Sequence, residues 1–403
     1  MHERSLLPLF LLAMATSSCV HTRPAAGSFA DDLGFLDQHV QTLVLSDASG
    51  SAQVALVPAW QGRVATSTAE GAGGTSFGWI NRELVASRQT RTHINAFGGE
   101  DRFWLGPEGG QFSIFFAKGA AFDYEHWQTP APIDSQPFEL VSHERERAVF
   151  ARRFQLVNWS GTRFDVGVER RIALVPPREV LGVELPAGVR GVSYATSNKV
   201  TNRGEEAWHR GTGLLSIWIL GMFNATPAST VVVPFERGDE RGAIVNDVYF
   251  GKVPDDRLRV KDRVLFFRAD AQCRSKIGLS PRRAKNMLGS WDAEHGVLTI
   301  VSYSFDPKAQ GYVNSLWKLQ DDPYGGDVVN SYNDGPAKPG EKQLGKFFEL
   351  ETSSPALALE PGQSWTHTHA TAHLVGDRKA LDGLAHAALG VSLDEIEAAF
   401  GGS

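Results

Sequence analysis

Two carboxylates stand two residues apart in Phe347-Phe348-Glu349-Leu350-Glu351-Thr352. On a strand, positions i and i+2 share a face. Paired carboxyls disturb each other's ionisation, which suits proton transfer. Two solvated acids on an outward strand face would give the same spacing. A second constellation, Trp365-Thr366-His367-Thr368-His369-Ala370-Thr371-Ala372-His373, puts His367, His369 and His373 on one strand face. Such a row could ligate zinc in a metal-dependent glycan hydrolase or lyase, with further ligands from elsewhere. Buried, hydrogen-bonded histidines fit the pattern equally, and no metal is assigned.

The densest polar and aromatic stretch runs from Gly98 to Gly110 and holds Glu100, Asp101, Arg102 and Trp104. Its glycines permit tight turns and close backbone approach. Acid, base and aromatic together suit a sugar, whose hydroxyls need bidentate partners and whose ring needs a flat apolar surface. Charges pairing within a loop are the alternative. Asn330, Tyr332 and Asp334 alternate along one strand face, as hydroxyl-binding side chains would, before an Asx-type turn. Lys276 follows Arg274-Ser275 and could reach an anion or a sugar oxygen, and Trp317 could stack on a ring. Tyr124-Glu125-His126-Trp127 and Trp208-His209 carry similar side chains, more often core than site. No phosphate-binding glycine loop, dinucleotide fingerprint, His-Glu-x-x-His or Gly-x-Ser-x-Gly occurs, and no cofactor is implied.

These residues need strands to position them. Phe164, Val166, Val168, Ile172 and Leu174 alternate with polar neighbours, as do Val297, Thr299, Val301, Tyr303 and Phe305. Further strands are predicted at 53–57, 112–116, 148–157, 190–197, 230–235, 264–268 and 347–351. Helices are predicted at 33–43 and as a pair over 379–400, broken at Gly390, with Ser392 and Glu395 as a capping box. With 403 residues, 41 glycines and 10% aromatics, the fold class is all-β: one large antiparallel sandwich over 36–403, with a C-terminal helical segment at 378–400. The net charge of −6 shows no basic face, so nucleic acid is not an expected partner.

At the N-terminus, Arg4 precedes an apolar run from Leu6 to Ala15, too short to span a bilayer. Thr16-Ser17-Ser18-Cys19 follows it and resembles a bacterial lipobox. Residues 1–18 read as a signal peptide, Cys19 as a lipidated anchor and 19–35 as a tether. The expected location is the periplasm or outer membrane, with the membrane as a partner through the lipid. Cys273 is the other cysteine of the chain.

Taken in order, several segments resemble the aldose 1-epimerase, or galactose mutarotase-like, superfamily. Val57-Pro58-Ala59-Trp60-Gln61-Gly62-Arg63-Val64 is similar to its opening strand and turn. Asn81-Arg82-Glu83 resembles an Asn-Arg-Ile segment whose arginine holds the sugar, and Phe97-Gly98-Gly99 stands where the family has His-Gly-Gly. Thr201-Asn202, Leu350-Glu351-Thr352 and Leu359-Glu360-Pro361-Gly362-Gln363 match later segments. The resemblance implies a β-supersandwich, a mono- or oligosaccharide ligand, Arg82 as a sugar contact and Glu351 as general base. The middle histidine that serves as acid has no counterpart in Ser216-Ile217-Trp218-Ile219-Leu220. His93 is one candidate replacement. A non-catalytic carbohydrate-binding lipoprotein is the alternative expectation.

Overall fold

The computed structural model describes residues 27–309, 311–338 and 340–401. The signal-like run and Cys19 lie outside the described residues. Strand alternation organises the chain into three antiparallel sheets. A ten-stranded sheet runs, in spatial order, Leu258–Lys261, Val264–Arg268, Ser229–Pro234, Met287–Asp292, Val297–Tyr303, Ser364–Gly376, Val189–Asn202, Arg163–Leu174, Arg147–Val157, Glu139–Glu144. A five-stranded sheet runs Ser275–Leu279, Val329–Asn333, Phe347–Ser353, Ser216–Asn224, Arg102–Gly106. Leu43–Ser46, Gln53–Val57 and Arg63–Thr68 form the third.

The two large sheets pack face to face as an all-β sandwich. From the five-stranded sheet, Phe103, Leu105, Ile217 and Ile219 meet Phe150, Phe164, Val166 and Val200 of the other. Towards the opposite end, Phe348, Leu350, Ile277 and Val329 meet Val231, Leu265 and Phe267. Each such side chain contributes about 1.5–3 kcal/mol on burial. The C-terminal helices Arg378–Leu389 and Leu393–Ala398 lay Leu381, Leu384, Leu389 and Ile396 against the outer face of the ten-stranded sheet. They part at Gly390, whose φ of +78° suits glycine, and Ser392 and Glu395 form the predicted capping box.

Two expectations are corrected. Residues 112–116 form no strand: between Gly109-Gly110 and Trp127 they turn repeatedly to bury Ile114, Phe115 and Phe116 in an aromatic cluster. Residues 29–35, expected as part of the tether, are instead helical. Phe29–Asp37 is a helix capped by Ser28, with Phe29 and Leu36 wholly buried and Asp31 and Asp32 both paired to Arg82.

Polar groups between the sheets are paired. Asp101 Oδ1 and Arg170 Nη2 lie 2.5 Å apart with neither side chain exposed. Arg170 also donates to Asn198, and Thr196 donates to Asp101. The histidine row faces this interior. His367 Nε2 and His369 Nδ1 both lie 2.9 Å from the Thr352 hydroxyl, and His373 Nε2 lies 3.1 Å from Glu100. Burial lowers His367 to about 3 and His369 to about 4, so both are neutral at pH 7.

Candidate functional site

The outer face of the five-stranded sheet carries the chemistry, and register shows why. Glu351 is paired with Leu220 and Asn330, Glu349 with Met222 and Tyr332, Arg102 with Leu220, Trp104 with Trp218, and Lys276 with Tyr332. Directly opposed residues share a face. Arg102, Trp104, Trp218, Lys276, Asn330, Tyr332, Glu349 and Glu351 therefore stand together, although up to 249 positions separate them in sequence (351 − 102).

Loops roof this face and leave two adjoining cavities, of about 450 Å³ and 300 Å³. Glu108, Tyr124, Trp218, Arg274, Lys276 and Trp317 line both. Asn330, Asp327, Tyr249 and Ser216 belong to the first only; Arg102, Trp104, Tyr332, Asp334 and Glu349 to the second only. Trp104 and Trp218 meet edge to face at 5.4 Å, and the Arg102 guanidinium lies 4.2 Å from the Trp104 ring centroid.

Glu351 is wholly buried behind Lys276 and Trp218 and is not itself on either cavity wall. Its Oε2 accepts from Lys276 Nζ and from Trp218 Nε1, each at 2.9 Å. Its Oε1 has no hydrogen-bond partner among the described residues. Burial pulls the Lys276 ammonium down, but Glu351 and Glu108 more than offset it, and the pKa is raised. Glu349 bonds Arg102 at 3.1 Å. Its carboxyl is pushed up to about 8, first by burial and then by Glu351; Arg102 opposes both. Glu108 is also raised, by burial, with Lys276 pulling back and Glu351 adding to the rise. At neutral pH the site thus holds an acid form in Glu349 beside a lysine-paired carboxyl in Glu351.

This has a measurable sign. An unfolded Glu349 titrates near its ordinary 4.5, the folded one near 8. Between those values the folded chain keeps a proton that the unfolded chain has released, so this group costs stability increasingly as pH rises. Glu349→Gln removes the cost. Denaturant midpoints should show the variant gaining on the parent between about pH 5 and about pH 8. A difference independent of pH would contradict the burial of an acid form.

Other candidates fall elsewhere. Arg82, at the start of the helix Arg82–Ser87, lines a separate cavity of about 560 Å³ that shares no wall residue with the two above. Its guanidinium is taken by Asp31 and Asp32. Alternation turns Asp101 inwards to Arg170 while Arg102 and Trp104 face outwards; Glu100, which precedes the strand Arg102–Gly106, points between the sheets to Ser67, Tyr194 and His373. His93 lines neither cavity; its Nδ1 lies 2.6 Å from the Trp127 carbonyl and must donate to it. Gly98 and Gly99 are needed for packing: a Cβ would come within 2.1 Å of the Trp79 carbonyl at Gly98 and 2.7 Å of the Val64 carbonyl at Gly99. His367, His369 and His373 are engaged with Thr352 and Glu100, and no group of three or more metal-ligating side chains is gathered among the described residues.

Sequence reasoning missed Glu108, Tyr249, Asp327 and the wall role of Trp218. Glu108 sits in the glycine-rich stretch already singled out, so its signal was present. Tyr249 and Asp327 meet only through folding, the tyrosine hydroxyl donating to the carboxylate at 2.5 Å.

The sequence matches, over residues 27–400, the model of a family of unknown function (DUF6786). No curated protein matches it. In fold the chain is similar to a putative aldose 1-epimerase of Escherichia coli K12, with TM-score 0.51 and 14% identity over 84% of this chain and 99% of that one. A protein of Synechocystis sp. PCC 6803 aligns with TM-score 0.48 and 13% identity, covering 84% and 96% of the two chains. A galactose mutarotase-like protein of Lactobacillus casei ATCC 334 aligns at 0.47 and 10%, covering 83% and 100%. The Escherichia coli likeness bears out the expected fold; at such identity, chemistry has to be argued from the residues.

Proposed function

The chain belongs to a family of unknown function, DUF6786, and from that premise we propose that it binds a saccharide in the double cleft and moves protons on the bound ring. The observation that carries this reading is the placement of Arg102, Lys276, Glu349 and Glu351 on one sheet face beneath walls of Trp104, Trp218 and Trp317. Charged donors and acceptors meet sugar hydroxyls, and indole faces meet the ring. The likeness in fold to the putative aldose 1-epimerase of Escherichia coli supports a carbohydrate ligand.

In this reading Glu351 takes the proton of the anomeric hydroxyl by way of Lys276, which lines both cavities and donates to it, and the protonated Glu349 donates to the ring oxygen. The ring C–O bond then breaks, and reversal on the other face gives the second anomer. Lys276 and Trp218 hold Glu351 in place. The N-terminal run and Cys19 support export and lipid anchoring.

A second reading, a binding protein without turnover, is favoured by one observation: Glu351 is tied to Lys276 and Trp218 and stands behind the cavity wall. Calorimetric titration with saccharides, paired with NMR exchange between anomers, separates the two. Binding with accelerated exchange supports proton transfer; binding without it leaves the second reading; no binding removes both.

A further inference from the structure

We infer that the cleft takes a saccharide of at least two rings, one in each cavity, with the linkage between them over Lys276 and Glu108. The inference rests on the saccharide reading above and goes beyond it in naming the length of the ligand.

The cleft has room for more than one ring. Cavities of about 450 Å³ and 300 Å³ each fall within the range of a small-ligand site on their own. They adjoin rather than nest, since Glu108, Arg274, Lys276, Trp218 and Trp317 form walls of both while Asn330 and Glu349 each belong to one. A monosaccharide fills one and leaves the other to water.

Each cavity also has its own polar wall. The first alone presents Asn330, Asp327 and Tyr249, and the second alone presents Arg102, Asp334 and Glu349. The hydroxyls of one ring reach only one set.

The mouth is aromatic as well. Tyr124 and Phe250 line both cavities and are 61% and 49% exposed. Arg274 lies over Phe250 with its guanidinium 4.2 Å from the ring centroid. Exposed flat rings at a polar cleft suit a ligand that continues out of it. At the junction, Lys276 uses its ammonium on Glu351 and faces Glu108, giving a donor and a raised-pKa carboxyl where an inter-ring oxygen would lie.

The test uses the folded chain on an array of neutral and acidic saccharides from mono- to hexasaccharide, followed by calorimetric titration of the hits and of their component monosaccharides. Disaccharides should bind about tenfold tighter than either component ring, as one added aromatic stack provides. Ala337→Trp narrows the second cavity alone from an exposed position. It should bring disaccharides down to monosaccharide affinity, with an unchanged melting curve; Leu344→Trp, exposed on the same wall, serves if that variant does not fold. Equal affinity for one and two rings, or a disaccharide preference that survives both substitutions, overturns the two-ring assignment while leaving saccharide binding intact. Binding of no saccharide overturns the underlying reading and this one with it.

Discussion

Glu351→Gln should bind its saccharide within a few-fold of the parent and lose about 10²–10⁴ in the rate of anomer exchange, the usual worth of one positioned base. The change is nearly isosteric. A Gln side-chain oxygen can still accept from Trp218 Nε1 and Lys276 Nζ, so the wall of the cleft is kept. What disappears is the free carboxylate oxygen and one negative charge. Lys276 then loses the carboxylate that most raises its pKa, and its titration should move downwards. That second readout separates a catalytic from a merely architectural role: NMR exchange reports the base, and the lysine titration reports the ion pair. An exchange rate equal to the parent's, with binding preserved, would sink Glu351 as base.

Arg170→Ala should be the most damaging single change to stability, at about 3–5 kcal/mol. Arg170 and Asp101 are fully enclosed between the sheets. Removing the guanidinium leaves the Asp101 carboxylate with the Thr196 hydroxyl and without the cation that pairs it directly. Asn198 Oδ1 loses the donor it has in Arg170. Replacing both partners by apolar residues, as in Asp101→Leu with Arg170→Met, should cost less than Arg170→Ala alone, because no unpaired charge remains. Chemical denaturation of the single and double variants decides it. If the double variant is the less stable, the pair's own attraction outweighs its desolvation. Saccharide binding should suffer with stability, since Arg102 follows Asp101 directly and places its guanidinium beside Glu349.

Much of this was legible in the sequence where the pattern is local. Period-two runs such as Phe164–Leu174 gave strands because a half-buried strand must alternate, and Ser392 with Glu395 marked a helix start because the cap is a four-residue affair. Alternation also placed Glu349 and Glu351 on one face. It could not say which face was the site: both faces of Phe347–Ser353 are buried, one by the second sheet and one by the loops that roof the cleft. The stretch 112–116 has strand-like composition, yet its aromatic side chains are claimed by a cluster with Trp127 and Trp317, which bends the backbone away from any ladder. Arg82 read as a sugar contact because Asn81-Arg82-Glu83 resembles such a segment; the helix Phe29–Asp37 brought two aspartates to it instead.

By itself, then, the sequence determined the all-β class, the capped C-terminal helices and the pairing of two carboxyls on one strand, each a consequence of chemistry within a few residues. Only the tertiary structure decided the company those carboxyls keep. Strand order sets Lys276 and Trp218 against Glu351 and Arg102 against Glu349, and burial beside Glu351 keeps the proton on Glu349 at neutral pH against the pull of Arg102. The physical reason is that ionisation depends on burial and on charges a few ångströms away, and partners 75 to 247 positions distant in sequence supply both.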